Sequence, residues 1–535
     1  MQGKKDYQEK LFTDFRLSDR IPQENFYRRL KDCLNLDFLY PLTKGYYGDS
    51  GQKSIDPTVF FKLCLVGYLE NIISDRKLIA HCSMRLDILY FLGYDIDEEL
   101  PWHITISRTG QLYPGSVFEQ VFTRILSLCI EKGMVKGHTQ AIDSAPVKAN
   151  ASMDSLELKV PVEDLEAHLS KVRVQSYRDR TAKHNKADKT QQSISASEKE
   201  LRDIKTRTAK WSKEQDQRPG AGNKGSKYTS NKTHYSPTDP DARISVKPGK
   251  ARKLNYLGNI RVDTANHVIT DIQAYHAHKK DNQYLQDIVK RTQERLTTQG
   301  LLWQNVLADT GYSSGENYAF LEAQGLVSYI PPHGSYKGGP AGFTYSEDQD
   351  HYLCSRGKII RFKKVFYENR NNPKKKEYRA SKKVCIDCPI RAQCLGKSAQ
   401  EKKFTITFYR EQYERNNARI NSKKGQYLKT KRQSTVEPVL GTLKEFMALR
   451  KVNTIGIRQA NKCMHLAATA YKLKKYLNFT QKRIKSHAGV ISRAFLAIKW
   501  RSKHKISRLR QFYRDLANTS AYDLEANQRK LFYKL

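Results

Sequence analysis

Asp143, Asp309 and Glu437 are acids whose types and settings could do chemistry, although each read alone also fits an ordinary cap, turn or surface pair. Asp143 sits in the middle of "HTQAIDSAPVKAN" (138–150), a stretch with the apolar content of a strand. Asp309 closes "LLWQNVLAD" (301–309), a buried-strand pattern, and the Gly311 turn follows it. A carboxylate at the end of a buried strand is costly without a partner, so Asp309 either holds a cation or caps a turn or helix. Glu437 lies in "KRQSTVEPVLGTLKEFMALRK" (431–451). Helical spacing there sets Val436, Val439, Leu440, Leu443 and Met447 on one side and Glu437, Gly441 and Lys444 on another. A glycine inside a helix costs about 1 kcal/mol relative to alanine. Gly441 therefore marks either the close approach of a phosphate backbone or a helix crossing.

Together the three acids suit one reaction class. Two divalent metals, about 4 Å apart, need hard oxygen ligands beside a phosphodiester, one to activate water or a 3′-hydroxyl and one to stabilise the leaving oxygen. Asp263, Asp271, Asp281 and Glu316 compete for the ligand places, and each also fits a turn or cap. His276 and His278, at a strand end, read as structural.

A second cluster is made of sulfur. Of nine cysteines, Cys33, Cys64, Cys82, Cys129 and Cys463 are scattered through apolar helical patterns and read as buried thiols. Cys354, Cys385, Cys388 and Cys394 lie together in "HYLCSRGK" (351–358) and "VCIDCPIRAQC" (384–394). Four thiolates within reach suit a closed tetrahedral Zn²⁺ site, with free thiols or a redox pair as the alternative. The segment around them is Lys- and Arg-rich. Ile359, Ile360, Phe362, Val365 and Phe366 allow a small sheet but no free-standing core.

Composition names the partner. The chain has 535 residues, with 95 Lys and Arg against 55 Asp and Glu, a net charge of +40. That excess implies a polyanion, nucleic acid first. Mean hydropathy is −0.71. No stretch of eighteen or more apolar residues occurs and the N-terminus has no signal-peptide core, which argues against a membrane and, with reduced thiols, for the cytoplasm.

The elements that must position these residues follow from periodicity. The chain to about residue 135 reads as helical, with "HITISRTGQLYP" as a turn between two core helices, or as a presenter of Ser107 and Arg108 to a DNA backbone. Residues 151–250 are Lys-, Ser- and Gln-rich and poor in core, including the loop-like "RPGAGNKGSK". Strand patterns resume at 255–263, 267–277, 301–309 and 326–332, with helical patterns at 281–296 and from Glu316. Three antiparallel strands followed by βα units predict an α/β (mixed α+β) fold: a mixed sheet covered by helices. "GIRQANKCMHLAATAYKLKKYL" (456–477) continues as a helix, and a basic tail with Phe495, Trp500 and Phe512 follows, suited to DNA or to solvent.

"AIDSAPVKANAS" (141–152), "SPTDPDAR" (236–243), "NYLGNIRVD" (255–263), "VLADTGYSSGENY" (306–318) and "TVEPVLGTLK" (435–444) together resemble the DDE transposases of bacterial insertion sequences, near the IS1182 group among the IS5 and IS4-like enzymes. The resemblance spans roughly residues 10–480. It implies an RNase H-like sheet, with Asp143, Asp309 and Glu437 as ligands of two Mg²⁺ (or Mn²⁺) ions and Lys444 on a DNA phosphate. Arg432 and Tyr427 stand displaced from the spacing of the IS4-like motif, with Arg450 and Lys451 as further DNA contacts.

The implied domains are a helical DNA-end-binding region (1–135), a first catalytic part (136–332), a Cys-rich zinc-binding insertion before the last catalytic helix (333–425), the Glu helix part (426–478) and a basic tail (479–535). The implied protein binds terminal inverted repeats as a homodimer or larger assembly near the nucleoid, cuts DNA and joins its 3′-hydroxyl to a target. The alternatives are an RNase H-like nuclease without strand transfer and a non-catalytic DNA-binding derivative.

Overall fold

The computed structural model describes residues 15–48, 54–158, 231, 234–245, 252–334, 339–367, 374–396 and 398–480. Most of the polar stretch 151–250 and nearly all of the basic tail therefore lie outside the described residues. The chain divides into two units, Met1–Lys474 and Lys475–Leu535; of the second, residues 475–480 are described and helical.

The central sheet is built on β1 (Thr139–Lys148). On one side it pairs antiparallel with β5 (Lys253–Asp263), and β5 pairs antiparallel with β6 (Val268–His276). On the other side β1 runs parallel to β7 (Asn305–Leu307), which runs parallel to β8 (Val327–Tyr329). The order across the sheet is thus β6-β5-β1-β7-β8, and β4 (Arg243–Ser245) pairs with the start of β5. A strand pair β2 (Glu157–Leu158) and β3 (His234–Tyr235) stands apart. The expected order of three strands, helix, strand, helix, strand is present, with helices Leu285–Thr298 and Gly315–Ala323 in the two crossovers.

Several boundaries differ from the sequence reading, among them 326–332, of which only Val327–Tyr329 is strand. Residues 301–309 yield only a three-residue strand, so Asp309 lies two residues beyond its end. Pro146, expected just past β1, lies inside it, opposite Leu257. β7 pairs only with residues 139–141, so beside Pro146 that flank of β1 has no strand ladder to break.

The N-terminal region is helical as expected, but "HITISRTGQLYP" is no turn: His103–Leu112 is a helix. Ile106 and Thr109 are buried on one face, and Ser107 and Arg108 are exposed on another. Its polar residues fall at helical spacing, which a reading weighted toward the short apolar content misses. Helix Gly115–Glu131 buries Val117, Phe118, Val121, Phe122, Ile125, Leu126 and Cys129. A charge network ties it to the sheet, because the part-exposed Glu119 pairs with Arg295, which also meets Asp271 at 3.3 Å, and Asp271 pairs with the fully buried Arg261.

"SPTDPDAR" has a structural task. Both carboxylate oxygens of the buried Asp239 accept from Tyr256 Oη at 2.7 Å, and Oδ1 also accepts from the Gly456 N–H. Asp241 accepts from the Ile457 N–H at 3.1 Å. These acids satisfy the orphan donors where the helix beginning at residue 457 starts.

Residues 343–407 form a second sheet, β13-β12-β11-β10-β9, antiparallel throughout. Its strands are β9 (Phe343–Ser346), β10 (His351–Cys354), β11 (Ile359–Tyr367), β12 (Lys374–Arg379) and β13 (Lys403–Thr407). Its small core is Tyr352, Ile360, Tyr378 and Ala380, flanked by Phe343 and Phe404. Of the apolar residues expected to build it, Ile359, Phe362 and Val365 are exposed. The tyrosines fill the space instead, with Tyr345 and Tyr378 donating their hydroxyls to Asp350.

Candidate active site

Asp143 points from β1 into a half-enclosed acidic cleft, its side chain 16% exposed. Its Oδ1 accepts from the Ser144 N–H at 2.8 Å, and its Oδ2 pairs with Arg432 Nη1 at 3.0 Å. Burial pushes its carboxyl up to about 6; the Ser144 N–H and the Arg432 charge oppose that rise, and the neighbouring Asp309 charge adds to it. Asp143 and Asp309, from parallel neighbours in the sheet, are therefore brought together.

Asp309 opens a 3-10 turn, Thr310–Tyr312, and its Oδ1 accepts from the Gly311 N–H at 3.0 Å. The capping role considered from sequence is thus filled, by one of its two oxygens. A Cβ on Gly311 would lie 3.1 Å from that oxygen and 3.1 Å from Asp281 Oδ2. A side chain here would press on both carboxylates, which would have to give by a few tenths of an ångström. Asp281 Oδ1 in turn accepts from Ser144 Oγ at 2.6 Å, so the acid at the start of the first crossover reaches the residue beside Asp143. Tyr312, fully buried, floors the cleft and accepts from Asn259 Nδ2 at 2.5 Å. Asp281 is one of the four acids that compete for the ligand places in the sequence. "KKDN" before an amphipathic helix looks like a cap, and only the sheet brings it to Asp309.

Glu437 stands differently. It is exposed, on helix Lys423–Phe446, which has Pro438 in its interior. Arg432 of the same helix faces Asp143, and Glu437 follows five residues later, about 140° around and about 7.5 Å along the axis. It shares its face with the exposed Gly441 and the half-buried Lys444. Around a Cβ on Gly441 no described atom lies within 4 Å, so this glycine is not at a helix crossing. Tyr427 is 64% exposed, Arg450 pairs with Glu445, and Lys451 bridges to Lys148 of β1 through the backbone. Val436, Val439, Leu443 and Met447 are buried as the helical spacing requires, while Leu440 is half-buried.

The donors around Asp143 and Asp309 are hard carboxylate oxygens, suited in chemistry to Mg²⁺ or Mn²⁺. Among the described residues, no three Asp, Glu, His or Cys side chains converge closely enough to hold one ion by themselves. Cys354, Cys385, Cys388 and Cys394 all line one cavity of about 240 Å³, between the end of β10 and the short helices Lys382–Ile386 and Arg391–Cys394. His276 is structural, its Nδ1 at 3.0 Å from the Asp241 carbonyl. No described helix is long and apolar enough to cross a membrane.

Residues 15–111 match the model of a transposase domain of the DUF772 family. Residues 353–477 match the model of a transposase DDE domain. Asp143, Asp281 and Asp309 lie between the two matched stretches. No curated protein and no solved structure matches the chain.

Proposed function

We propose that this chain, which carries two transposase domain matches, is a transposase of the DDE type that binds the terminal inverted repeats of an insertion sequence, cuts DNA there and transfers the strand. The observation that carries this reading is the pairing of Asp143 and Asp309 in one half-buried cleft at neighbouring parallel strands. Two ionised carboxylates held together in low dielectric repel each other, and a divalent cation relieves that repulsion. The strand order β6-β5-β1-β7-β8 supports an RNase H-like catalytic sheet.

In this reading Asp143 and Asp309 hold Mg²⁺ or Mn²⁺, and Glu437 is the third acid. A cation bound there lowers the pKa of a water or 3′-hydroxyl and offsets charge on the leaving oxygen. Arg432 fixes the Glu437 helix against β1 through Asp143. Lys444, on the Glu437 face, meets a DNA phosphate, and Gly441 lets the backbone come close. Tyr427, Arg450 and Lys451 extend this basic face, and the charge of +40 supplies long-range attraction to DNA. The assembly on DNA is a homodimer or larger. The four cysteines, soft donors around one cavity, are the candidate ligands of a structural Zn²⁺ beside the small second sheet, which requires them to draw closer than they stand here.

Cleavage and strand transfer with a pre-cut element end bearing a 3′-hydroxyl test this reading. Asp309→Asn and Glu437→Gln should each lower Mn²⁺-dependent cleavage by about a hundredfold or more, because a metal ligand is lost, while DNA binding persists. Cleavage by Asp309→Asn within about tenfold of wild type would remove the acid pair from the chemistry. Cleavage without joining would leave a nuclease.

A further inference from the structure

We propose, on the DNA-cutting reading above, that one face of the second sheet binds an unpaired stretch of DNA, stacking bases on Phe362, Tyr367 and Phe408 and meeting phosphates with Lys374. β10 pairs with β11 only over Ile359–Arg361. From Phe362 to Tyr367, β11 is flanked among the described strands by β12 alone, so the sheet narrows there to the ribbon β11-β12-β13. Directly opposed residues on neighbouring strands share a face. Phe362 stands opposite Tyr378, Val365 opposite Lys376 and Tyr367 opposite Lys374. This is the face of the small core, carried outward past the end of β10. Phe408 extends the third strand, its N–H donating to the Lys374 carbonyl at 2.9 Å. The rings on this strip are left open: Phe362 is 39% exposed, Phe408 37% and Tyr367 65%.

Ammonium groups are set among these rings. Lys376 Nζ, held by Asp350 at 3.0 Å, lies 5.8 Å from the centre of the Phe362 ring and 5.9 Å from that of Phe408. Lys374 Nζ lies 4.3 Å from the Phe408 centre. Arg361, Lys363 and Lys364, all exposed, add charge along β11. Rings interleaved with cations match a nucleic-acid strand, whose bases stack on the rings while its phosphates meet the charges. A duplex hides its base faces in its own stack and offers only edges and phosphates, so open flat rings select unpaired nucleotides. A cut element end, free to fray, supplies them. A second copy paired along the open side of β11 would set two lysine-rich strands side by side, and edge lysines oppose that pairing.

Fluorescence anisotropy with the full chain tests this, at about 200 mM salt to weaken non-specific attraction. A blunt duplex is compared with the same duplex carrying a single-stranded tail of about eight nucleotides. Wild type should bind the tailed DNA about tenfold more tightly. The Tyr367→Ala, Phe408→Ala double variant should bind both DNAs equally, with its blunt-duplex affinity and melting midpoint unchanged. Tyr367→Phe, which keeps the ring, should keep the preference. If the double variant does not fold, Tyr367→Ala decides alone and should lose about threefold of the preference. A wild type that binds both DNAs equally, or alanine variants that keep the full preference, overturns the inference. Parallel loss of blunt and tailed binding would mark a duplex contact and overturns it too. A wild type that binds neither DNA defeats the underlying reading, and this inference with it.

Discussion

Asp143→Asn should stabilise the protein in chelator at neutral pH and at the same time abolish its cleavage. Burial raises the Asp143 carboxyl from 3.8 to about 6, so carrying its charge above pH 6 costs the fold about 3 kcal/mol. Asparagine removes that cost. Its one oxygen can still accept from Arg432 but then no longer from the Ser144 N–H, and the charge assistance is lost as well, together roughly 1–2 kcal/mol. A net gain of about 1–2 kcal/mol remains, or about 2 °C in the unfolding midpoint of a chain this size.

The sign fixes the pH window. A carboxyl whose folded pKa lies above its unfolded value gives its relative stability below the unfolded pKa and loses it as pH rises through the folded one. The difference between Asp143→Asn and wild type should therefore be small near pH 4, grow to about pH 6 and level off above it. Thermal unfolding of both proteins in chelator across pH 4–8 measures it. Mn²⁺ should then raise the wild-type midpoint and leave the variant unmoved. A variant less stable than wild type at pH 7.5, or a difference flat with pH, would show that the Asp143 charge is not strained by burial.

Three further outcomes follow from other parts of the molecule. Asp239→Ala should cost about 2–4 kcal/mol in urea unfolding, since it leaves the buried Tyr256 hydroxyl and the Gly456 N–H without their acceptor; a loss under about 0.5 kcal/mol would contradict the capping role. Gly441→Ala should be neutral or stabilising by up to about 1 kcal/mol, whereas Gly441→Gln should weaken DNA binding about tenfold at an unchanged midpoint; equal DNA affinity would mean the backbone does not approach there. Metal analysis should find about one Zn²⁺ per chain, lost in the Cys385→Ser, Cys388→Ser double variant together with most cleavage; a zinc-free wild type would leave these four as free thiols.

Much of this fold is written in local pattern. The alternating residues of 255–263 and 267–277 and the amphipathic run after Asp281 mark β5, β6 and the first crossover helix; the two strands are buried on nearly both faces, whereas the helix buries one. The same applies to the apolar stripe of the Glu437 helix. The resemblance and the two matched domains concern motifs that are likewise local. What the sequence could not carry is which side chains meet. Asp143, Asp281 and Asp309 are far apart in the chain and become neighbours only through β1–β7 pairing and the turn at Gly311. Arg432 looks like a displaced phosphate contact in the sequence, yet in the fold it reaches back to Asp143 across a separation of 289 residues. Asp239 looks like part of a polar loop until the start of a distant helix needs its oxygens. Burial energy gives such a helix its period and so can be read along the chain. The electrostatics of the cleft depend on distances between elements, and those are set when the sheet closes its register.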